Sequence, residues 1–200
     1  MRFIGLLAVG LLLSTRISGQ IPEVGHVCGS VCDDIPGILD VESRIAPESE
    51  PGEPLVIDGV VRDRMGGPAQ GIVVYAYHTN SNGIYPPDNR VPGVLRGWAK
   101  TDSEGRYRFR TIRPGPYPDD DIPAHVHLHV IEPGKVTYIV DDIIFTDDPL
   151  WPSRWAPDMR SGRGGDGLGD PVKDADGVWH IRNDIVLGDN IAGYDAEWRD

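Results

Sequence analysis

Several short segments of the chain alternate between apolar and other residues with a period of two, which is the pattern of β-strands that bury one face. In the clearest segment, residues 125–130, three histidines alternate with valine, leucine and valine. Further strand patterns occupy residues 55–63, 72–78, 94–101, 106–112, 136–145 and 177–187. No stretch of useful length shows helical periodicity, so the pattern predicts an all-β chain.

The spacing of these segments predicts how the strands are arranged. Short strands separated by Gly- and Pro-containing turns are typical of a two-sheet β-sandwich. Segments 94–101 and 106–112 are joined by Asp-Ser-Glu-Gly, and together they predict a β-hairpin. In segment 72–78, Tyr75 and Tyr77 fall on one face, and we expect them to be packing residues.

The N-terminal end has the form of a targeting segment. Arg2 leads into an apolar run of about eleven residues and then into small and polar residues, which predicts a signal peptide over residues 1–20. The run is too short to span, as a helix, a bilayer core of about 30 Å. No other stretch predicts a membrane span, so we expect a secreted protein, periplasmic or extracellular. Residues 21–53, rich in acid and proline, predict an N-terminal arm, and residues 54–200 predict one β-sandwich domain with long irregular loops.

Composition narrows the functional classes. The 200 residues include 31 acidic and 19 basic side chains, for a net charge of −12, which argues against a nucleic-acid-binding surface.

Cys28 and Cys32 are the only cysteines. A small disulfide loop is the favoured interpretation, because the alternative, a metal pair, lacks the further ligands of a structural zinc site. The Gly-rich segment 161–170 lacks the context of a phosphate-binding loop, and we expect a flexible surface loop.

The candidate chemistry lies in three neighbouring motifs. His125 and His127 share a strand face, with Cα atoms about 6.5–7 Å apart, so their rings can converge on one metal ion. His129 shares that face, and a plain polar strand face is the alternative reading. Tyr117 in Pro-Gly-Pro-Tyr-Pro and Tyr85 in Gly-Ile-Tyr-Pro-Pro each lie in a loop whose prolines restrict the backbone.

Taken in order, these motifs resemble a known family. The motifs are Gly-Ile-Tyr85, Arg96-Gly97, Thr101 to Phe109, Thr111-Ile112 through Pro-Gly-Pro-Tyr117, Pro-Ala-His125-Val-His127 and Asp148-Pro149. Over roughly residues 54–188 the chain resembles the intradiol ring-cleavage dioxygenases, which include catechol and protocatechuate 3,4-dioxygenases. These non-haem ferric enzymes open catechols between their two hydroxyls. The resemblance implies a β-sandwich of the immunoglobulin or transthyretin type and Fe(III) held by Tyr85, Tyr117, His125 and His127.

The ligand set implied by this resemblance is chemically consistent. Phenolates are hard donors that favour a highly charged cation such as Fe³⁺ over zinc or copper. Fe³⁺ with two tyrosinates and one hydroxide has no net charge, which lowers the penalty for burying the site. The resemblance further implies that an aromatic diol and O₂ are the substrates and that a muconate-type diacid is the product. It implies that Tyr117 is the ligand that leaves and acts as the catalytic base.

Two positions depart from the family pattern. Where well-known members have an Arg before the Pro of Pro-Ala-His, this chain has Ile122, and their usual Gln on the following strand aligns with Asp142. A secreted, non-catalytic β-sandwich binding module that retains the fold, with or without the metal site, is therefore the alternative function. A zinc hydrolase using His125, His127 and Asp121 explains neither tyrosine motif.

The N-terminal pattern gives a first testable prediction. Protein isolated from its native host should lack about the first 20 residues, with cleavage near residues 19–21, as mass spectrometry would measure. Cys28 and Cys32 should then resist thiol reagents until they are reduced. A cytosolic product beginning at Met1 would contradict export.

Overall fold

The computed structural model describes residues 34–152 and 161–195, and these residues form twelve β-strands and no helix. The strands are β1 (Glu42–Arg44), β2 (Pro54–Arg62), β3 (Val73–Tyr77), β4 (Arg96–Lys100), β5 (Arg106–Ile112), β6 (His125–Glu132), β7 (Val136–Ile139), β8 (Ile143–Phe145), β9 (Leu168–Gly169), β10 (Val172–Lys173), β11 (Trp179–Arg182) and β12 (Ile185–Val186). The all-β prediction is confirmed. None of the described segments is a helix that could cross a membrane.

The strands build two sheets that enclose one core. The first sheet has the order β1-β5-β2-β11-β10, and β12 also pairs with β2. The second has the order β4-β3-β6-β8-β9, and β7 also pairs with β6. Ile57 and Phe109 of the first sheet belong to the same buried cluster as Val74 and Leu128 of the second. The molecule is therefore a β-sandwich, as the spacing of the strand patterns predicts.

Strand β6 shows how the apolar pattern directs the histidines. Val126, Leu128 and Val130 are fully buried in the core, so the alternate positions of β6 face the other side of the second sheet. On that outer side Tyr75 is also fully buried, with its ring 5.0 Å from the ring of Trp98. Tyr75 is thus a packing residue, as expected from its strand.

The hairpin prediction for segments 94–101 and 106–112 is wrong. β4 pairs with β3 in the second sheet, whereas β5 pairs with β2 and β1 in the first, so the turn between them crosses the sandwich. Asp102 shapes this turn, because its Oδ1 accepts the backbone N–H groups of Glu104 and Arg106, each at 2.9 Å. Turn chemistry specifies a change of direction, but the burial of each strand selects its partner.

Part of the predicted N-terminal arm is a strand. β1 lies within residues 34–53 and pairs in parallel with β5, so this part of the arm lies against the domain. The predicted signal peptide over residues 1–20, with Cys28 and Cys32, lies outside the described residues.

A buried hydrogen bond joins β5 to the break between β11 and β12. The hydroxyl of Tyr107, which is almost fully buried, donates to the backbone oxygen of Asn183 at 2.7 Å. Next to this bond, a Cβ at Gly59 would lie 1.7 Å from the same oxygen, so the close approach requires glycine. The contact therefore depends on residues from three strands or their ends.

We expect Tyr107→Phe to lower the free energy of unfolding by about 1–3 kcal/mol, because it removes a buried donor and leaves a buried carbonyl unpaired. Urea unfolding would measure the change. Arg108→Gln is the control on the same strand, since Arg108 points outward and its pair with Asp58, 3.5 Å apart, is partly exposed and contributes less than about 1 kcal/mol. Equal losses in the two variants would contradict the prediction.

Candidate metal centre

The four predicted donors come from three segments that meet at one end of β6. Tyr85 lies in the loop after β3, Tyr117 lies in the loop between β5 and β6, and His125 and His127 lie at the start of β6. The register between β3 and β6 places Tyr77 opposite His127. The loop that leaves β3 therefore begins beside the histidines.

Two glycines allow the tyrosine loops to pack directly on one another. Gly83 has φ of 76°, and a Cβ there would lie 1.9 Å from the carbonyl oxygen of Pro116. The N–H of Gly115 donates to the carbonyl of Asn80 at 2.9 Å, and a Cβ on Gly115 would lie 2.5 Å from the carbonyl oxygen of Ser81. Larger side chains would separate the loops, so these glycines bring the two phenols side by side.

The structure brings all four predicted donors together. The phenol oxygens of Tyr85 and Tyr117 lie 2.7 Å apart. The Nε2 atom of His127 lies 3.0 Å from the Tyr85 oxygen, 3.3 Å from the Tyr117 oxygen and 3.2 Å from Nε2 of His125. His127 thus contacts each of the other three donors.

The outer nitrogen of each histidine determines what the inner nitrogen can do. Nδ1 of His125 bonds to the carbonyl of Pro123 at 2.8 Å, and Nδ1 of His127 bonds to Oδ1 of Asp142 at 3.0 Å. A carbonyl and a carboxylate only accept, so each Nδ1 carries the proton and each Nε2 presents a lone pair. Two lone pairs facing each other at 3.2 Å suit a cation that both can bind.

The distances and the donor types fit one ferric ion. Two ligands about 2.1 Å from a common ion, at angles of about 90–110°, lie roughly 3.0–3.4 Å apart. The contacts that involve the histidines, 3.0–3.3 Å, fall in this range, whereas the two hydrogen-bonded phenol oxygens, 2.7 Å apart, lie slightly closer. Two phenol oxygens with two neutral imidazoles form a harder donor set than the His, Cys and carboxylate sets of most zinc sites.

The protein environment alone keeps both phenols protonated. Burial raises the pKa of Tyr85 and of Tyr117 above the usual value, and the hydrogen bond between the two phenols raises that of Tyr85 further while it partly offsets the rise at Tyr117. Burial also lowers the pKa of His125, and the neighbouring His127 lowers it further. The site therefore favours neutral ligands until a cation displaces the phenol protons.

Asp142 is an acidic residue in direct contact with one of the four donors. Burial opposes its ionisation, yet His127 beside it holds the pKa of Asp142 below the usual range. Among the described residues, the ligand atoms of His125, His127 and Asp142 lie within 4.8 Å of one another and form a group that could hold a metal. Asp121, the carboxylate of the zinc-hydrolase alternative, is not in this group. The alignment with the family's usual Gln singles out Asp142 in the sequence but does not reveal its contact with His127.

His129 shares the strand face but not the centre. Its ring lies 5.5 Å from the ring of Tyr75 and 5.9 Å from that of Tyr77, and burial lowers its pKa to about 4. Tyr77 itself stacks on His127, with ring centroids 4.5 Å apart. His129 is therefore a neutral packing residue behind the centre.

The arginines near the site in sequence are engaged elsewhere. Arg96 pairs with Asp34 at 3.2 Å and lies over the ring of Trp98. Arg90 is exposed and pairs with Asp88 at 3.4 Å. Arg154 lies outside the described residues. Arg90 and Arg96 are each paired with another acid, and position 122, where the family pattern has an arginine, holds the partly buried Ile122.

Comparison with known proteins agrees with the class of protein that this fold defines, a two-sheet β-sandwich related to dioxygenases. The family described as Dioxygenase matches residues 39–162. With the relatives below, this match shows that the chain belongs to the intradiol ring-cleavage dioxygenase family, as the motifs predict.

The similar proteins include curated enzymes and solved structures. The chain is 31% identical over 199 residues to catechol 1,2-dioxygenase 1 of Acinetobacter lwoffii, covering 86% of this chain and 61% of that protein. It is 32% identical over 126 residues to the protocatechuate 3,4-dioxygenase beta chain of Burkholderia cepacia, covering 56% and 53%. The chain therefore spans little more than half the length of these relatives. The dioxygenase domain of a carbohydrate-binding fusion from Streptomyces sp. SirexAA-E shares the fold, with a TM-score of 0.59, 21% identity, and coverage of 83% of this chain and 97% of that one.

We predict that protein loaded with Fe(III) is red-brown, because tyrosinate-to-ferric charge transfer absorbs visible light. Tyr85→Phe and Tyr117→Phe should each alter the band, and His125→Ala or His127→Ala should weaken ferric affinity by more than about tenfold, as competition with a chelator would measure. His180→Ala is the control, because His180 bonds to the exposed Asp174 in the other sheet. A colourless protein that binds zinc stoichiometrically would contradict the assignment.

Proposed function

We propose that this protein is a ferric, non-haem intradiol dioxygenase. It would cleave a catechol-type ring between its two hydroxyls with O₂ and release a muconate-type diacid. The main support is one observation: two phenol oxygens and two imidazole nitrogens are linked by contacts of 2.7–3.3 Å in a chain that belongs to this family.

Tyr85, Tyr117, His125 and His127 are the residues that would hold the ion. When bound, ferric iron supplies Lewis acidity, which makes the ring of a coordinated diol reactive towards O₂. Two phenolate charges reduce the penalty for placing a trivalent ion among buried side chains. The neutral imidazoles add donors without changing the net charge.

Tyr117 is proposed as the base that takes a proton from the entering diol. It lies in an irregular loop and is partly exposed, whereas Tyr85 is only 3% exposed and its backbone N–H donates to Oδ1 of Asn89 at 3.2 Å. These differences support Tyr117, rather than Tyr85, as the side chain that would turn towards solvent once its phenolate oxygen has accepted the proton. Away from the ion, the raised pKa of Tyr117 keeps that proton in place.

The charge around Tyr117, at the proposed entrance to the site, favours neutral diols. Asp119 and Asp120 follow Tyr117 closely and are exposed, and Ile122 stands where the pattern of well-known family members has an arginine. Like charges about 4 Å apart near a protein surface repel by roughly 4 kcal/mol, and less once salt screens them. A substrate ring that carries a carboxylate is therefore disfavoured.

The loop after Tyr85 exposes apolar surface. Val91 and Val94 are 63% and 60% exposed, and the N–H of Val94 donates to the carbonyl of Pro86 at 3.0 Å. This bond folds the loop back against the residue that follows Tyr85. Exposed valines there support substrates with alkyl substituents.

We also propose that the reaction takes place outside the cytoplasm. The support is the sequence of residues 1–20, with its basic start, short apolar run and small-residue exit.

The test is oxygen uptake by iron-loaded protein with catechol, 4-methylcatechol and protocatechuate, at low and high salt. We expect wild type to turn over the two neutral diols at least about tenfold faster, since even a third of the repulsion is worth that factor. High salt should narrow the difference. Ile122→Arg should raise the rate with protocatechuate, while Ile122→Leu, the control, should leave the preference unchanged.

Two outcomes would contradict the proposal in different ways. A clear wild-type preference for protocatechuate would contradict the argument that negative charge disfavours a ring carboxylate, but it would leave the proposed dioxygenase activity intact. No turnover of any diol by protein with the full ferric colour would instead favour a non-catalytic module.

A further inference from the structure

His127 occupies the central place among the four donors. Its Nε2 atom contacts the oxygens of Tyr85 and Tyr117 and the Nε2 atom of His125. The orientation of this one ring therefore decides whether the four donors can meet at a point. Two contacts restrain the ring away from the donors: Tyr77 stacks on its face at 4.5 Å, and Asp142 bonds to its edge at 3.0 Å.

The two candidate histidine ligands differ in what holds their outer nitrogen. Nδ1 of His125 donates to a neutral backbone carbonyl, that of Pro123. Nδ1 of His127 donates to the carboxylate of Asp142. Charge-assisted hydrogen bonds are roughly twice as strong as neutral ones, and a carboxylate that pulls on the Nδ1 proton raises the basicity of Nε2. His127 is therefore the stronger imidazole donor.

Strand register places Asp142 opposite His127. β6 and β8 pair His125 with Ile144 and Val126 with Ile143, and the next pair in this antiparallel register is His127 with Asp142. The gap between β7 and β8 leaves Asp142 outside the regular ladder, next to the centre. Both side chains of the pair are only 21% exposed, so water competes weakly for their bond.

The residue before Asp142 is tied to the Gly-rich segment. Asp141 accepts the hydroxyl of Ser161 at 2.6 Å, the backbone N–H of Gly162 at 2.7 Å and Nε of Arg163 at 3.2 Å. The backbone N–H of Asp141 also donates to the carbonyl of Arg163 at 2.8 Å. Residues 161–163 lie in the segment that the sequence predicts as a flexible surface loop. Their hydrogen bonds to Asp141 restrain the backbone next to Asp142.

We propose that Asp142 is a positioning residue, which holds the His127 ring with Nε2 directed at the metal and strengthens its donation. The inference rests on the proposed ferric site, but it does not depend on turnover of any diol. Oδ1 of Asp142 contacts Nδ1, the nitrogen remote from the other donors, so Asp142 acts through His127.

The test uses the full chain loaded with Fe(III), with Asp142→Asn, Asp142→Ala and Asp174→Asn compared with wild type. Asn retains an oxygen that can accept the Nδ1 proton but removes the charge, whereas Ala removes both. Asp174→Asn is the matched control, because Asp174 bonds to Nε2 of His180 at 2.7 Å in an exposed pair of the other sheet. Circular dichroism would verify that each variant folds.

Two readouts separate positioning from a purely structural role. In competition with a chelator, Asp142→Ala should lower ferric affinity by about 10–100-fold, and Asp142→Asn should recover most of it. In both variants the tyrosinate-to-ferric band should move to longer wavelength, because a weaker imidazole donor leaves the ion more electron-poor. Asp174→Asn should change neither readout.

Unchanged affinity and band in Asp142→Ala would overturn the inference. Equal and near-complete loss of iron in the Asn and Ala variants would also overturn it, since Asp142 would then be a direct ligand. A wild type that binds no ferric ion overturns this inference together with the proposed function. If both Asp142 variants show the expected band shift but the wild type turns over no diol, the proposed function alone is overturned.

Discussion

The pairing of β6 with β3 on one side and β8 on the other is the constraint on which the site depends. Val126, Leu128 and Val130 are buried in the core, so the alternate imidazoles face the outer side of the sheet. Burial of each such side chain is worth about 1.5–3 kcal/mol, and a shift of one residue would exchange the two faces. Hydrophobic burial therefore fixes the direction of His125 and His127 before any ligand contributes.

The two tyrosines are positioned by the close packing of their loops, not by strand register. They lie in loops that touch only because Gly83 and Gly115 let backbone approach backbone. The donors thus belong to separate segments that no single strand holds together, and binding of the proposed metal would be thermodynamically linked to the order of these loops. Burial opposes ionisation of the phenols, so a cation and the phenolates stabilise each other.

The four candidate donors are those that the family resemblance implies, but the charge around them departs from the family pattern. Ile122 stands where the family pattern has a cation, and Asp142 places a carboxylate against His127. Under the proposed function these two changes would act on different properties: the first on which substrates approach, the second on how strongly one imidazole donates. The described arginines Arg90 and Arg96 are paired with other acids, so neither offsets the change.

The sequence by itself determined the strand segments, the inward face of β6 and the four candidate donors, because alternation and short motifs are local properties. It did not determine strand partners: the segments around Asp102 predict a hairpin, yet β4 and β5 lie in different sheets. Nor did it indicate that residues 161–163 brace Asp141 or that Asp142 meets His127. Those contacts join residues 15–22 positions apart, and they form only when the whole sandwich selects one register for β6 and β8.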